Sequence, residues 1–323
     1  MTDLLSGAYG RVALMRRAWY TRPGRRRRLN HRVISVGNLS MGGSGKTPVA
    51  EALARLLRAR GERPVILTRG YARREPTEGV LVVSDGTRLR EPVLRSGDEP
   101  QLLARKLQDV PVLVSTDRYI AGLFAEQYFH PSVSILDDGF QHLTLERDID
   151  LLLVSTADLT DRVIPAGRLR EPLSSARFAD AVLVNGGEGD AAHVAAALGV
   201  PTVFRVVQHY GDLAGRGSSA SLGAPDKARP AVAFAGIARP GRFFNALRSL
   251  GYDVARELTF PDHHWYTPRD IETIRAAARD AGSPLIITTE KDAVRCDMDA
   301  AVLPMTVSIE PATEFESWLM DRM

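Results

Sequence analysis

A single cysteine, Cys296, stands among 323 residues, which rules out an internal disulfide and suits a reducing compartment. Long apolar runs are missing too. No stretch approaches the roughly 20 residues that a spanning helix requires, and the longest candidates, such as 150–156, read as buried strands. Arginines interrupt the apolar residues at the N-terminus, so no secretory leader is expected. The sequence also has no internal repeat and no long low-complexity tract. What remains is 44% apolar and 25% charged, the mixture of a globular chain able to bury a core, with length for about two domains.

Charge is not spread evenly. Residues 1–32 hold nine arginines against one acid, Asp3, a net +8, so the other 291 residues carry −5 of the chain's overall +3. Within this basic head, Leu4, Ala8, Val12, Met15 and Trp19 recur at helical spacing and form one apolar stripe. Trp19, Tyr20 and the run Arg25–Arg28 suit an interface with anionic headgroups. A core-packed helix followed by a solvated basic loop is the alternative. Nucleic acid is disfavoured, because no reader motif accompanies the arginines, and no obligate protein partner is evident. The predicted organisation is a basic amphipathic helix over 1–30, a core domain over 31–210 and a smaller α/β lid over 211–323, with the boundary in the Gly/Ser/Pro-rich stretch 211–229.

From Arg32 onward, apolar strands alternate with helices. This pattern predicts an α/β fold: a doubly wound, mostly parallel sheet of the P-loop NTPase kind, covered by helices on both faces. Strands are expected at 32–36, 64–67, 110–114, 133–136, 149–154 and 181–184. An Asp-Gly pair, Asp85-Gly86, marks a hairpin turn. A second strand–helix series begins at Ala231.

The sharpest motif is the string Ser40-Met41-Gly42-Gly43-Ser44-Gly45-Lys46-Thr47, set between a strand and a helix. In that context glycines let successive backbone N–H groups cradle phosphates at a helix N-terminus. Lys46 would reach the β- and γ-phosphates of ATP, and the Thr47 hydroxyl would ligate Mg²⁺. Ser40 replaces the usual leading glycine, and Met41 stands where one subclass of these loops carries a second lysine. A magnesium site also needs an acid at a neighbouring strand end, and Val133–Leu136 runs into Asp137-Asp138. Asp98 opens another helix, as a plain N-cap or as a base. The loop 260–266 pairs His263 and His264 with Asp262 and aromatic neighbours.

These strings, in this order, resemble the tetraacyldisaccharide 4′-kinases, the lipid A 4′-kinases of Gram-negative envelopes. The resemblance is carried by Val36-Gly37-Asn38-Leu39, the Gly-Lys-Thr loop, Thr68-Arg69-Gly70-Tyr71 and Gly97-Asp98-Glu99-Pro100. It continues through Asp137-Asp138-Gly139-Phe140-Gln141-His142, the run Pro165–Pro172, Phe260-Pro261-Asp262-His263 and Thr289-Glu290-Lys291-Asp292. It implies ATP and Mg²⁺ at Lys46 and Thr47, with Asp137, Asp138 and Glu171 in or near the metal shell. It also implies that Asp98 is the base for a sugar hydroxyl, oriented by His263 arriving with the lid. The acceptor would be an acylated glucosamine disaccharide phosphate, presented at the cytoplasmic face of the inner membrane. Independently of the resemblance, Arg69, Arg118, Arg168 and Arg170 lie in loops after strands or at helix starts, where a doubly wound sheet places its ligands, and with Tyr71, Gln141 and His142 they are the expected acceptor contacts. A P-loop switch or maturation chaperone is the competing reading, one that would not need Asp98, His263 or an interfacial helix.

Overall fold

Strand-forming apolar runs become the interior of two sheets in the computed structural model, which describes residues 2–43, 45–215, 229–282 and 285–323. Helix α1 (Thr2–Tyr20) precedes β1 (Arg32–Asn38), α2 (Lys46–Ala59), β2 (Pro64–Thr68) and β3 (Leu81–Asp85). A single turn, α3 (Val93–Ser96), runs into α4 (Asp98–Lys106), followed by β4 (Pro111–Val114), α5 (Arg118–Phe129), β5 (Val133–Asp137) and β6 (Ile149–Val154). Then come β7 (Ala181–Asn185), α6 (Glu188–Leu198) and β8 (Val203–Tyr210). The lid begins with β9 (Pro230–Ala235), α7 (Pro240–Ser249), β10 (Asp253–Thr259), α8 (Pro268–Asp280), β11 (Leu285–Thr289), α9 (Glu290–Arg295) and β12 (Ala301–Leu303). The chain closes with β13 (Met305–Glu310) and α10 (Ala312–Met320).

The larger sheet has nine strands in the order β13-β8-β7-β6-β1-β5-β2-β4-β3. Its seven inner strands run parallel, and β3 and β13 close the two edges antiparallel. β1, β5 and β6 are almost wholly buried, as strands covered by helices on both faces must be. Register places Val36 beside Asp137, so the phosphate loop and the paired acids leave the sheet side by side at its carboxyl edge. That edge is where doubly wound sheets bind ligands. The lid is a four-stranded parallel sheet, β10-β9-β11-β12, with a separate core on each face.

One expectation needs correcting. The lid does not run to residue 323. β13 returns to pair with β8, and Phe315 and Leu319 of α10 are buried in the core of the larger sheet beneath α2. Alternation within β13 leaves Ile309 facing that core, which a lid strand could not do. Most of the expected boundary stretch, 216–228, lies outside the described residues. For α1 it is the core-packed alternative that fails. Its stripe residues Leu4, Val12, Met15 and Trp19 are 45–79% exposed, so the helix is not packed through them. It docks through Ser6, Gly10 and Arg17.

Candidate active site

Phosphate cradles need amides pointing inward, and the loop here takes φ of +101° at Gly42 and +88° at Gly45, values open to glycine. Its entry is clamped from across the site: Met41 N–H donates to the Arg168 carbonyl at 2.8 Å, and Arg170 N–H donates to the Leu39 carbonyl at 2.6 Å. Gly37 also has to be glycine, because a Cβ there would lie 2.4 Å from Phe140 Cβ. The lid stands directly over the loop, since a Cβ on Gly43 would sit 3.3 Å from that of Ala238. Ser44 lies outside the described residues.

Lys46 begins α2, and its ammonium donates to Asn38 Oδ1 at 3.0 Å and lies 3.5 Å from Asp138 Oδ1. Thr47 donates to Asp137 Oδ2 at 3.5 Å. Asp137 Oδ1 is buried and has no hydrogen-bond partner among the described residues. Burial, with Glu99 and Asp138 adding repulsion, pushes the Asp137 carboxyl up to about 7. Its neighbour behaves oppositely. Burial raises Asp138 as well, but Lys46 and the fork of Arg170 (3.0 and 2.8 Å) hold it well below the usual carboxylate range. Adjacent carboxyls are thus driven apart, one easily protonated and one fixed as an anion.

Around them, Arg170 also donates to Asn38, and Gln141 donates to the Asn38 carbonyl at 3.0 Å while its own buried oxygen has no partner among the described residues. Arg118 is buried at the start of α5; burial pulls it down to about 10, against Asp138 and with exposed Arg69. His142 turns toward Thr144 at 3.2 Å and is lowered to about 4 by burial and by Arg118. Arg168 is committed to Asp161 at 2.8 Å. Both oxygens of Glu171 accept from Arg17 of α1, each at 2.8 Å, in a pair shielded from solvent. A carboxylate so occupied anchors the helix to the segment that follows the phosphate-loop clamp at Arg168 and Arg170.

Across the interface with the lid, Asp98 opens α4 and is 3% exposed. His263, held at φ +58° in the middle of the aromatic loop, places Nδ1 at 2.9 and 3.1 Å from its two oxygens. His264 faces away and pairs with Asp270 at 3.0 Å. Burial raises the Asp98 carboxyl, but His263, Lys291 and Arg295 outweigh it and hold it below the ordinary range. Tyr71 stands edge-on to the His263 ring, with centroids 5.3 Å apart. Glu99, next to Asp98, is among the charges that raise Asp137.

A family model described as tetraacyldisaccharide-1-P 4′-kinase matches residues 2–323. The chain belongs to this family. A tetraacyldisaccharide 4′-kinase of Geobacter metallireducens is 42% identical over 280 residues, covering 83% of this chain and 80% of that protein. Another, from Geobacter sulfurreducens, is 39% identical over 317 residues, 93% of this chain and 85% of its own length. A solved Aquifex aeolicus structure, described as the "apo" form of LpxK in complex with ATP, superposes with a TM-score of 0.80 at 33% identity, covering 98% of this chain and 97% of that one. The kinase family therefore shares this whole architecture, lid included. Reasoning from residue types overlooked four participants: Asn38, Arg17, Lys291 and Arg295. Asn38 and Lys291 fall inside the strings that carried the resemblance, and only their contacts assign them chemistry.

Proposed function

We propose that this chain transfers the γ-phosphoryl group of ATP to the 4′-hydroxyl of a tetraacylated glucosamine disaccharide 1-phosphate. The observation that carries the reading is the buried Asp98 carboxylate, held anionic and faced by the lid's His263 at 2.9 Å. A hydroxyl acceptor needs a base, whereas a nucleotide switch does not. Family membership supplies the acceptor class.

The donor set suits magnesium. It consists of hard oxygens, Thr47 Oγ1 and Asp137, and one Asp137 oxygen is buried without a partner among the described residues. Asp138 supports the site from its place between Lys46 and Arg170. When bound, Mg²⁺ supplies charge neutralisation to the phosphates. Lys46 leaves Asn38 and Asp138 to meet phosphate oxygens, and the loop amides hold the triphosphate in place. Asp98 accepts the proton of the attacking hydroxyl, and His263 Nδ1–H keeps the carboxylate turned toward it. Exposed Arg69 and Tyr71, with Arg118 behind them, line the approach from the acceptor side. Packing of Ala238 over the loop excludes water and so limits hydrolysis.

The outward apolar face of α1 fits insertion into the anionic cytoplasmic leaflet, where an acylated acceptor resides. Among the described residues no helix is long and apolar enough to cross a membrane.

The test is transfer of label from γ-labelled ATP to a detergent-dispersed acylated glucosamine disaccharide phosphate. The wild type should label the lipid. Lys46→Ala should abolish transfer, and Asp98→Asn should lower kcat by about 10²–10⁴-fold, the usual worth of general-base catalysis, with ATP affinity nearly intact. ATP hydrolysis indifferent to the lipid, with no label entering it, would sink the reading in favour of a switch.

A further inference from the structure

The Lys291 ammonium lies 3.3 Å from His263 Nε2. An ammonium has three N–H donors and no lone pair. In the neutral ring the nitrogen facing it therefore presents its lone pair, which leaves the ring proton on Nδ1, the atom directed at Asp98. We infer that Lys291 is a positioning residue that fixes the tautomer of His263, so that Asp98 always receives a proton donor and is never left facing a bare imidazole nitrogen. This rests on the reading of Asp98 as the base.

The surroundings leave the opposite tautomer unsatisfied. The other oxygen near Nε2 is Asp262 Oδ1, at 3.9 Å beyond hydrogen-bond reach and already accepting the His263 backbone N–H at 3.0 Å. Tyr71 offers its ring, not its hydroxyl. Lys291 itself is well anchored: 3.1 Å to Glu99, 3.6 Å to Asp262 and 3.9 Å to Asp98. Burial pulls its ammonium down, but Glu99, Asp98 and Asp262 outweigh this and raise it, so it stays a donor. One helical turn on, Arg295 is 3.3 Å from Asp98 Oδ2 and braced by Asp292 at 2.7 Å and the Gly236 carbonyl at 3.0 Å. The i, i+4 pair on α9 thus delivers two cations to one face, Arg295 to the carboxylate and Lys291 to the far side of the ring. Glu99 belongs to the core and Lys291 to the lid, so their contact also locks the two bodies in the arrangement that assembles the dyad.

The experiment is ¹⁵N NMR of histidine-labelled full-length chain at neutral pH, with the His263 ring assigned by its loss in His263→Gln. In the neutral wild-type ring the proton should be found on Nδ1. Lys291→Met should give a mixture with Nε2–H and lower kcat by about 10- to 100-fold, part of the full effect of a general base, with KM for ATP within about 3-fold. Lys291→Arg, which keeps the donor, should restore the Nδ1–H form and most of the rate. A wild-type ring protonated at Nε2 overturns the inference even if Lys291→Met fails to fold, and so does an unchanged tautomer in a folded Lys291→Met. Asp98→Asn, measured alongside, separates the two readings: full transfer by that variant overturns Asp98 as base, whereas an unmoved tautomer removes Lys291 alone.

Discussion

Asp137 sits where two demands conflict. It is fully enclosed, with one oxygen unpaired among the described residues and other carboxylates nearby, and burial and this repulsion raise it from about 3.8 to about 7. A group whose folded value is raised contributes stability that is fully present below its unfolded value and is lost as pH climbs through its folded value. In EDTA, the thermal midpoint of the wild type relative to Asp137→Asn should therefore fall as pH moves from 5 to 8. Calorimetric scans showing a constant difference would contradict the assigned environment. Magnesium-dependent ATP binding should run the other way and strengthen over that range, because the ion needs the ionised carboxylate. Residue types alone pointed to this pair of acids at a strand end. They could not say which would be the anion, because that depends on Lys46 and Arg170, the latter more than thirty residues away in sequence.

At the scale of elements, α1 inverts the usual amphipathic arrangement. Periodicity identified its apolar stripe, but the docked face is Ser6, Gly10 and a buried arginine. Ser6 accepts the Ala166 amide N–H at 3.0 Å, and a Cβ on Gly10 would come 3.1 Å from Pro172. Arg17 lies 4.0 Å over the Phe140 ring and donates to the Phe140 carbonyl at 3.1 Å. Since Phe140 follows Asp137-Asp138-Gly139, the N-terminal helix is bolted to the acidic loop itself. Replacing Arg17 by Met should cost about 3–5 kcal/mol in urea unfolding, because Glu171 is left as an unpaired buried charge. Arg17→Met/Glu171→Met together should recover much of it. Val12→Asp/Met15→Asp should leave the thermal midpoint unchanged, both side chains being exposed, yet abolish cosedimentation with anionic vesicles. Persistent pelleting would place the membrane contact elsewhere. The Arg25–Arg28 run is less available than its composition suggests, because Arg27 pairs with Asp117 and Arg28 with Glu146.

For the whole molecule, the lid is an insertion with two tethers, since the chain leaves the core after β8 and returns as β13 and α10. Ile309, Phe315 and Leu319 then fill the core of the larger sheet. At about 1.5–3 kcal/mol for each buried side chain, they supply about 5–9 kcal/mol, comparable with the net stability of a domain. A chain ending at residue 304 should therefore fail to unfold cooperatively, although the lid sheet would be intact. A sharp, wild-type-like urea transition would show that the return strand is dispensable. The two tethers also confine lid motion, and Lys106 reinforces this by reaching Glu290 at 2.9 Å and the Met305 carbonyl at 2.7 Å from the core side.

Strand and helix positions, and the placement of the glycine-rich loop and the paired acids at strand ends, were legible because each is local: periods of two and 3.6, glycines beside a lysine, an apolar run ending in carboxylates. Pairings across long separations decided the rest. Nothing near Glu171 announces that Arg17, 154 residues earlier, will take both its oxygens, and nothing near Met305 shows that its strand abandons the lid. Likewise, His263 and His264 are equivalent in composition, and only the left-handed backbone at His263 and the docking of the lid turn one ring to Asp98. Local order follows from side-chain pattern and backbone sterics, whereas partnership depends on which surfaces become neighbours once the core has formed.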